Sequence, residues 1–359
     1  MIFCGDIAVP YSKAIKIDGL PDSLAKQVWI GNLEGSLISK SQMNADNLQS
    51  KRIVFNSVEG INTLLKYIPF KAFSLANNHI LDAAPLDETL NNLKYINISS
   101  FGAGLNLSEA SKALFIKDDS VNYLIVSCGW DLIKCIYATN KSGGVNPYRC
   151  NELVSQAKQL VRNHPGCRIV FFLHWNYELE LYPQPMDRGF AHALIDAGVY
   201  AVIGCHTHRV QPIEIYKGKP IVYGLGNFAF RQSTYMAGKL KFPEFSYPEI
   251  AFELKEDGSY TVHNFVYNPQ EHIVSYEGVD TITQSNAIFA SLNSKEYRSW
   301  FKKNRYQRKA LPIFYYNDSL LLYLIKSSFV KARVKIVDIL VKNQSLFRVV
   351  KKVMAIIFG

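Results

Sequence analysis

An apolar run from Val199 to Ile203, bounded by Gly198 and Gly204, empties into Cys205-His206-Thr207-His208. The run has the length and β-branching of a buried strand. A strand that ends in Gly-x-His-x-His places two imidazoles at the carboxyl edge of a sheet, where the ligand sites of α/β proteins sit. At a spacing of two, an extended backbone sends both side chains to one face. Neutral imidazole is a borderline ligand for Zn, Fe, Mn or Ni, so the pair suits a divalent transition metal. A second apolar run leads into Gly224-Leu225-Gly226-Asn227-Phe228, where Asn227 is expected in a turn framing the pocket.

The rest of the chain supplies companions at similar places. Residues 1–5 read as a short first strand ending at Gly5-Asp6. Residues 27–31 read as the next, ending at Asn32-Leu33-Glu34-Gly35. Phe70 to Leu75 reads as a strand delivering Asn77, Asn78 and His79, with a helix beyond Asp82 that carries Leu86, Leu90 and Leu93 on one face. Cys167–Leu173 is a strongly apolar strand ending on His174-Trp175, with Glu178 close behind. Helical spacing covers Val58 to Tyr67, capped by Ser57, as well as Asn151–Asn163 and Met186–Ala197. Strand, polar loop and helix therefore alternate, which predicts an α/β layered domain. A hairpin is expected around Asp118-Asp119. After residue 245 the pattern turns to β, with strands at 249–255 and 259–266 about an Asp257-Gly258 turn. Residues 285–304 look helical.

Asp6, Glu34, Asn78, His79, His174, His206 and His208 are metal-type side chains that these strand ends deliver toward one edge. Asn32, Asn77, Asp82, Trp175, Glu178 and Asn227 are expected to orient them or to wall the substrate. Carboxylate, amide oxygen and imidazole together describe an open site for Mn, Fe or Zn, holding one or two ions, whereas a closed structural zinc site favours cysteines. Two metals about 3.5–4 Å apart can bind a phosphate and stabilise both the attacking and the leaving oxygen. An unligated histidine can protonate the leaving group. Cys205 reads as a small buried thiol beside the histidines.

In this order the motifs resemble the poly-γ-glutamate capsule-biosynthesis family of the CapA or PgsA type, a branch of the calcineurin-like metallophosphoesterase superfamily. The matching residues are Gly5-Asp6, Asn32-Leu33-Glu34-Gly35, Leu75-Ala76-Asn77-Asn78-His79 with Asp82, Gly102-Ala103-Gly104 with Asn106 and Glu109-Ala110, His174-Trp175 with Glu178, Gly204-x-His206-x-His208 and Leu225-Gly226-Asn227-Phe228. They cover roughly residues 1–255. The resemblance implies a two-sheet sandwich flanked by helices, spanning 1–280, followed by a basic, largely helical extension over 281–359. It implies that Asp6 and His208 serve one metal, that Asn78, His174 and His206 serve a second, that Glu34 takes the place of the bridging carboxylate, and that His79 is the acid. The superfamily's Asp-x-His at the first strand is absent, since Asp6 is followed by Ile7-Ala8, which leaves the first-metal half the thinner one. Thr207 stands where the family usually has Pro, Asn176 where Gly follows His-Trp, and Ala84 where Gly follows Asp82. The implied function is synthesis of a capsule or cell-envelope polymer. The chain would serve either as a metal-dependent hydrolase on an anionic polymer or phosphate-containing substrate, or as a non-catalytic accessory subunit of the synthesis complex.

Charge separates the body from the end of the chain. The formal net charge is +10, yet residues 301–359 alone hold 13 Lys/Arg against Asp318 and Asp338. Apolar residues are interleaved with these bases over Leu320–Ile325 and Val334–Val341, and the set from Leu346 to Ile357 has helical spacing with a basic face, as in helices that lie on anionic membranes, dock on a partner, or pack on their own domain with solvated lysines. Nucleic acid is not expected as a ligand, because the aromatic and glycine patterns of its usual modules are missing. Six scattered cysteines without a C-x-x-C pair fit a reduced compartment. With no leader sequence and no spanning segment in view, the expectation is a cytoplasmic protein, peripheral at the inner face of the membrane.

Overall fold

A computed structural model describes residues 1–39, 53–281, 284–306 and 311–342. Two large sheets dominate. The nine-stranded sheet runs in the order Lys16–Asp18, Ile273–Thr281, Tyr260–Asn268, Pro248–Leu254, Ile2–Ala8, Trp29–Leu33, Phe70–Ser74, Ser99–Phe101, with Asn227–Phe230 also paired to Ile2–Ala8. The six-stranded sheet runs Ile213–Tyr216, Lys219–Val222, Ala201–Cys205, Cys167–His174, Val121–Gly129, Leu114–Asp118. The strands that carry the site are parallel to their neighbours on at least one side.

Strand alternation explains why the sheets stack. Phe3, Ile30, Ala72, Val170, Phe172, Ala201 and Ile203 form one buried layer between the sheets, and Phe3 meets Phe172 edge-on at 5.6 Å between ring centres. Their sequence neighbours Ile2, Cys4, Phe171, Leu173 and Val202 point the other way, into the core under the helices. Strands buried on both faces read as continuous apolar runs, and they sit between helical layers. The fold is thus the α/β two-sheet architecture flanked by helices that the sequence predicts.

Several elements differ from expectation in instructive ways. The first strand is Ile2–Ala8, so Asp6 lies inside it rather than beyond its end. Asn227 opens the strand Asn227–Phe230 instead of sitting in a turn, and its Cα partner is Asp6. Residues 285–304 split into Ala287–Ser291 and Ser294–Asn304, because Asn293 caps the second helix in a reciprocal capping box with Glu296. The Asp257-Gly258 hairpin and the one at Asp118-Asp119 form as expected.

Leu320–Lys342 is one 23-residue helix lying against the body. Trp130 Nε1 donates to the Tyr323 hydroxyl at 3.2 Å, Phe314 packs edge-on against Trp130, and Lys331 pairs with Asp131 at 2.7 Å. The basic run from Leu346 to Ile357 lies outside the described residues. Among the described residues no helix is long and apolar enough to cross a membrane.

Candidate metal centre

Register brings the site together. Asp6 is opposite Asn227 on one side and Asn32 on the other. In the second sheet His174 is opposite Gly129 and Cys205. The carboxyl ends of both sheets therefore deliver polar side chains to a common edge.

His206 and His208 converge for a different reason from strand alternation. The strand stops at Cys205, and both histidines take left-handed backbone, with φ of 88° and 50°. Such conformations are costly for non-glycine residues and persist only where the surroundings impose them. The His206 amide donates to Asp6 Oδ2 at 3.1 Å, which fixes the first turn onto the first strand. The two rings end 6.0 Å apart.

Asp6, Glu34 and His208 form the tightest group. All three are buried, and one ligand atom from each lies within 4.8 Å of the others. His208 Nδ1 is 3.3 Å from Asp6 Oδ2, and its Nε2 is 3.6 Å from Glu34 Oε1. Asn227 Oδ1 accepts a hydrogen bond from His208 Nδ1 at 2.8 Å, which turns Nε2 toward Glu34. Phe242 lies against the same imidazole at 4.4 Å between centres. The half that was thinner in sequence is thus the compact one in space.

Electrostatics make this group a fit for a cation. Burial raises the Glu34 carboxyl well above the ordinary carboxylate range, and the charges of Asp6, Glu178 and Asp82 push it further. Asp6 is also raised by burial, against the pull of His208, the Asn32 amide and the His206 N–H. Among the described residues no N–H or O–H donor reaches either Glu34 oxygen. Two neighbouring buried carboxylates, one of them with both oxygens orphaned, are expensive unless a positive charge compensates them. A divalent ion would reverse the sign of that cost, and the carboxylate–imidazole donor set suits Mn, Fe or Zn.

The second group is more self-satisfied. His174 Nε2 lies 2.8 Å from Asn78 Oδ1, and its ring centre is 4.7 Å from that of His206. Burial, with His208 and His79 adding to it, lowers the His174 pKa well below the usual imidazole value, so the ring is neutral. Asn32 ties the two groups, its Nδ2 donating to Asp6 Oδ1 at 2.7 Å and lying 3.5 Å from His174 Nδ1.

Asn77 holds two loops in place. Its Oδ1 accepts from the Gly35 and His79 amides, each at 3.2 Å, and its Nδ2 donates to the Leu33 carbonyl at 2.8 Å. That fixes Glu34 and His79 relative to each other. Asp82 Oδ2 takes the proton of His79 Nδ1 at 2.6 Å, so His79 Nε2 faces Glu34 Oε1 at 3.7 Å. Trp175 is buried, donates to the Tyr223 carbonyl at 2.9 Å and stacks on Tyr223, which makes it a packing residue away from the cleft.

A cleft of about 280 Å³ opens over these groups, and Asn78, His79, Glu178, His206 and His208 line it. Sequence reasoning missed part of its wall: Lys134, Tyr177 and Met236, together with Val330, Arg333 and Val334 of the C-terminal helix. The basic helix was visible as a pattern, but nothing local in it says which groups it covers.

A family model described as "Bacterial capsule synthesis protein PGA_cap" matches residues 20–232. The capsule biosynthesis protein CapA of Bacillus anthracis is 25% identical over 281 residues, 76% of this chain and 66% of its own length. The PGA biosynthesis protein CapA of Bacillus subtilis strain 168 is 33% identical over 177 residues, 47% of this chain and 45% of its own. The chain thus spans just under two thirds of one relative and under half of the other. The solved structure of a phosphatase from Mycoplasma pneumoniae, 14% identical, aligns over 81% of this chain and 96% of its own, with a TM-score of 0.39.

Proposed function

Because the chain belongs to the bacterial capsule synthesis protein PGA_cap family, we propose that it is a metal-dependent hydrolase of the phosphoesterase type, working in the synthesis of an anionic capsule or envelope polymer. The observation that carries this reading is the buried Asp6–Glu34–His208 group, whose His208 lines one cleft together with His79, the partner of Asp82. Asp6, Glu34 and His208 would hold the first ion. Asn78, His174 and His206 offer a second position once the Asn78–His174 hydrogen bond opens. A bound divalent ion supplies Lewis acidity to a phosphoryl group.

The chain's own residues do the remaining work. Asn227 and Asn32 fix the orientation of His208 and Asp6. Asp82 accepts the Nδ1 proton of His79 and so steadies an imidazolium, whose Nε2 proton can pass to the departing oxygen. Glu178 lines the cleft beside His79. Residues 301–359 would hold the protein to the inner face of an anionic membrane or to a synthesis-complex partner.

The test is metal content together with turnover. The full chain, supplemented with Mn, Fe or Zn, should bind close to one ion or more and cleave a generic phosphodiester, and His79→Ala should abolish the cleavage. Less than about 0.3 metal per chain with no His79-dependent turnover overturns the hydrolase reading. That result would favour a non-catalytic accessory subunit. Two observations point toward the accessory reading: Ala8 stands where a first-strand histidine would add a ligand, and Asn78 and His174 satisfy one another.

A further inference from the structure

The helix Leu320–Lys342 presents two unlike faces. One face meets the body: Val330 is buried, and Val330, Arg333 and Val334 line the cleft above His79 and His208. The opposite face carries Leu321, Ile325, Phe329, Ile336 and Ile339, spaced three, four or seven residues apart and between 53% and 70% exposed. Such a stripe on a surface helix marks an interaction face. The chain beyond residue 342 continues with Arg348, Lys351 and Lys352 among apolar residues and with no acidic residue, a composition suited to an anionic lipid surface.

The cleft itself is mixed in the same sense. Arg333 and Lys134 bring positive charge to a lining that also holds His79, His206, His208 and Glu178. Leu132, Met236, Val330 and Val334 form an apolar wall beside them. A small hydrophilic ester would leave that wall wet. A ligand with an anionic head and an apolar chain would cover it.

Building on the hydrolase reading, we propose that the cleft takes an amphiphilic phosphate ester drawn from a bilayer. Its phosphate is gripped by Arg333 beside the Asp6–Glu34–His208 group, and its chain lies along the inner face of the C-terminal helix while the outer face rests on the lipid. The arginine fork is matched to phosphate oxygens, and each methylene covered adds to affinity.

Binding of non-hydrolysable alkylphosphonates tests this without turnover. The full chain in Mn buffer is titrated calorimetrically with methyl-, butyl- and octylphosphonate, below their micelle concentrations. Affinity is expected to rise up to about fourfold per methylene that becomes covered. Arg333→Met is expected to weaken every member by about tenfold or more, with unchanged melting. Val334→Asn, which makes the wall polar without adding charge beside Arg333, is expected to flatten the chain-length trend while keeping methylphosphonate binding. Affinity that is flat with chain length in the wild type, or unchanged in Arg333→Met, overturns the proposal. Turnover of a phosphodiester with flat chain dependence sinks this proposal alone. A steep chain dependence with no turnover sinks the hydrolase reading alone and leaves an amphiphile-binding site.

Discussion

His79 and Asp82, three residues apart, are joined Nδ1 to Oδ2 at 2.6 Å, and the same Asp82 oxygen accepts from the Val54 amide at 3.0 Å. The carboxylate thus orients the imidazole and pins a neighbouring strand end at once. Asp82→Asn keeps an oxygen for Val54 but loses the charge that steadies a protonated His79. Turnover is expected to fall about 10–100-fold, with metal per chain unchanged. Paired kinetic and metal analyses check this, and a loss of metal equal to the loss of rate would contradict it.

Asn32 should act on metal affinity instead. Its amide holds Asp6 and approaches His174, and its oxygen lies 3.4 Å from Asn77 Nδ2. Asn32→Ala frees the Asp6 carboxylate to rotate, and affinity for Mn or Zn is expected to drop by about 10–100-fold in a chelator competition. Unchanged affinity would show that Asp6 is held by the His206 amide alone.

The chemistry of the site was legible because most of its motifs lie at or close to strand ends, and strands can be read from apolar runs. Its geometry was less so. The His206–x–His208 pattern suggested alternation in extended backbone, yet both residues sit at positive φ, which a pattern of side chains does not encode. Asn227 read as a turn residue because it follows Gly226, whereas its pairing with Asp6 is a contact across more than two hundred residues. Arg333 could be recognised as basic and helical. That its helix covers the cleft depends on packing against Trp130 and Asp131, which only the folded chain brings near.

Asp187 predicts a pH dependence of stability. It is buried, accepts from the Tyr148 hydroxyl at 2.9 Å, and burial pushes its carboxyl up to about 7. The unfolded chain titrates it near about 3.9. Between those values the folded state holds more protons, so the Asp187 contribution is full below the lower value and is lost as pH rises toward 7. Asp187→Asn is therefore expected to gain stability relative to wild type at pH 8 but not at pH 4.5, as read by urea unfolding. The same difference at both pH values would refute it.

Gly204 closes the strand before the histidines with no room for a side chain. A Cβ there would lie 2.1 Å from the Tyr223 carbonyl oxygen and 2.2 Å from Trp175 Nε1, whereas one at Gly166 meets nothing within 4 Å. Gly204→Ala is expected to cost about 3 kcal/mol or more in chemical denaturation, and Gly166→Ala less than about 0.5 kcal/mol. Equal effects would remove close packing as the reason for glycine at 204.

The strand Ile2–Ala8 is flanked by Trp29–Leu33 on one side and by Pro248–Leu254 and Asn227–Phe230 on the other. This strand is therefore closed on one edge only by segments more than two hundred residues later in the chain, and Asp6 meets His208 only when the same region has folded against it. Long-range closure of this kind is slow and leaves strand edges open to wrong pairing. The centre of the site thus forms only when segments far apart in the chain have met.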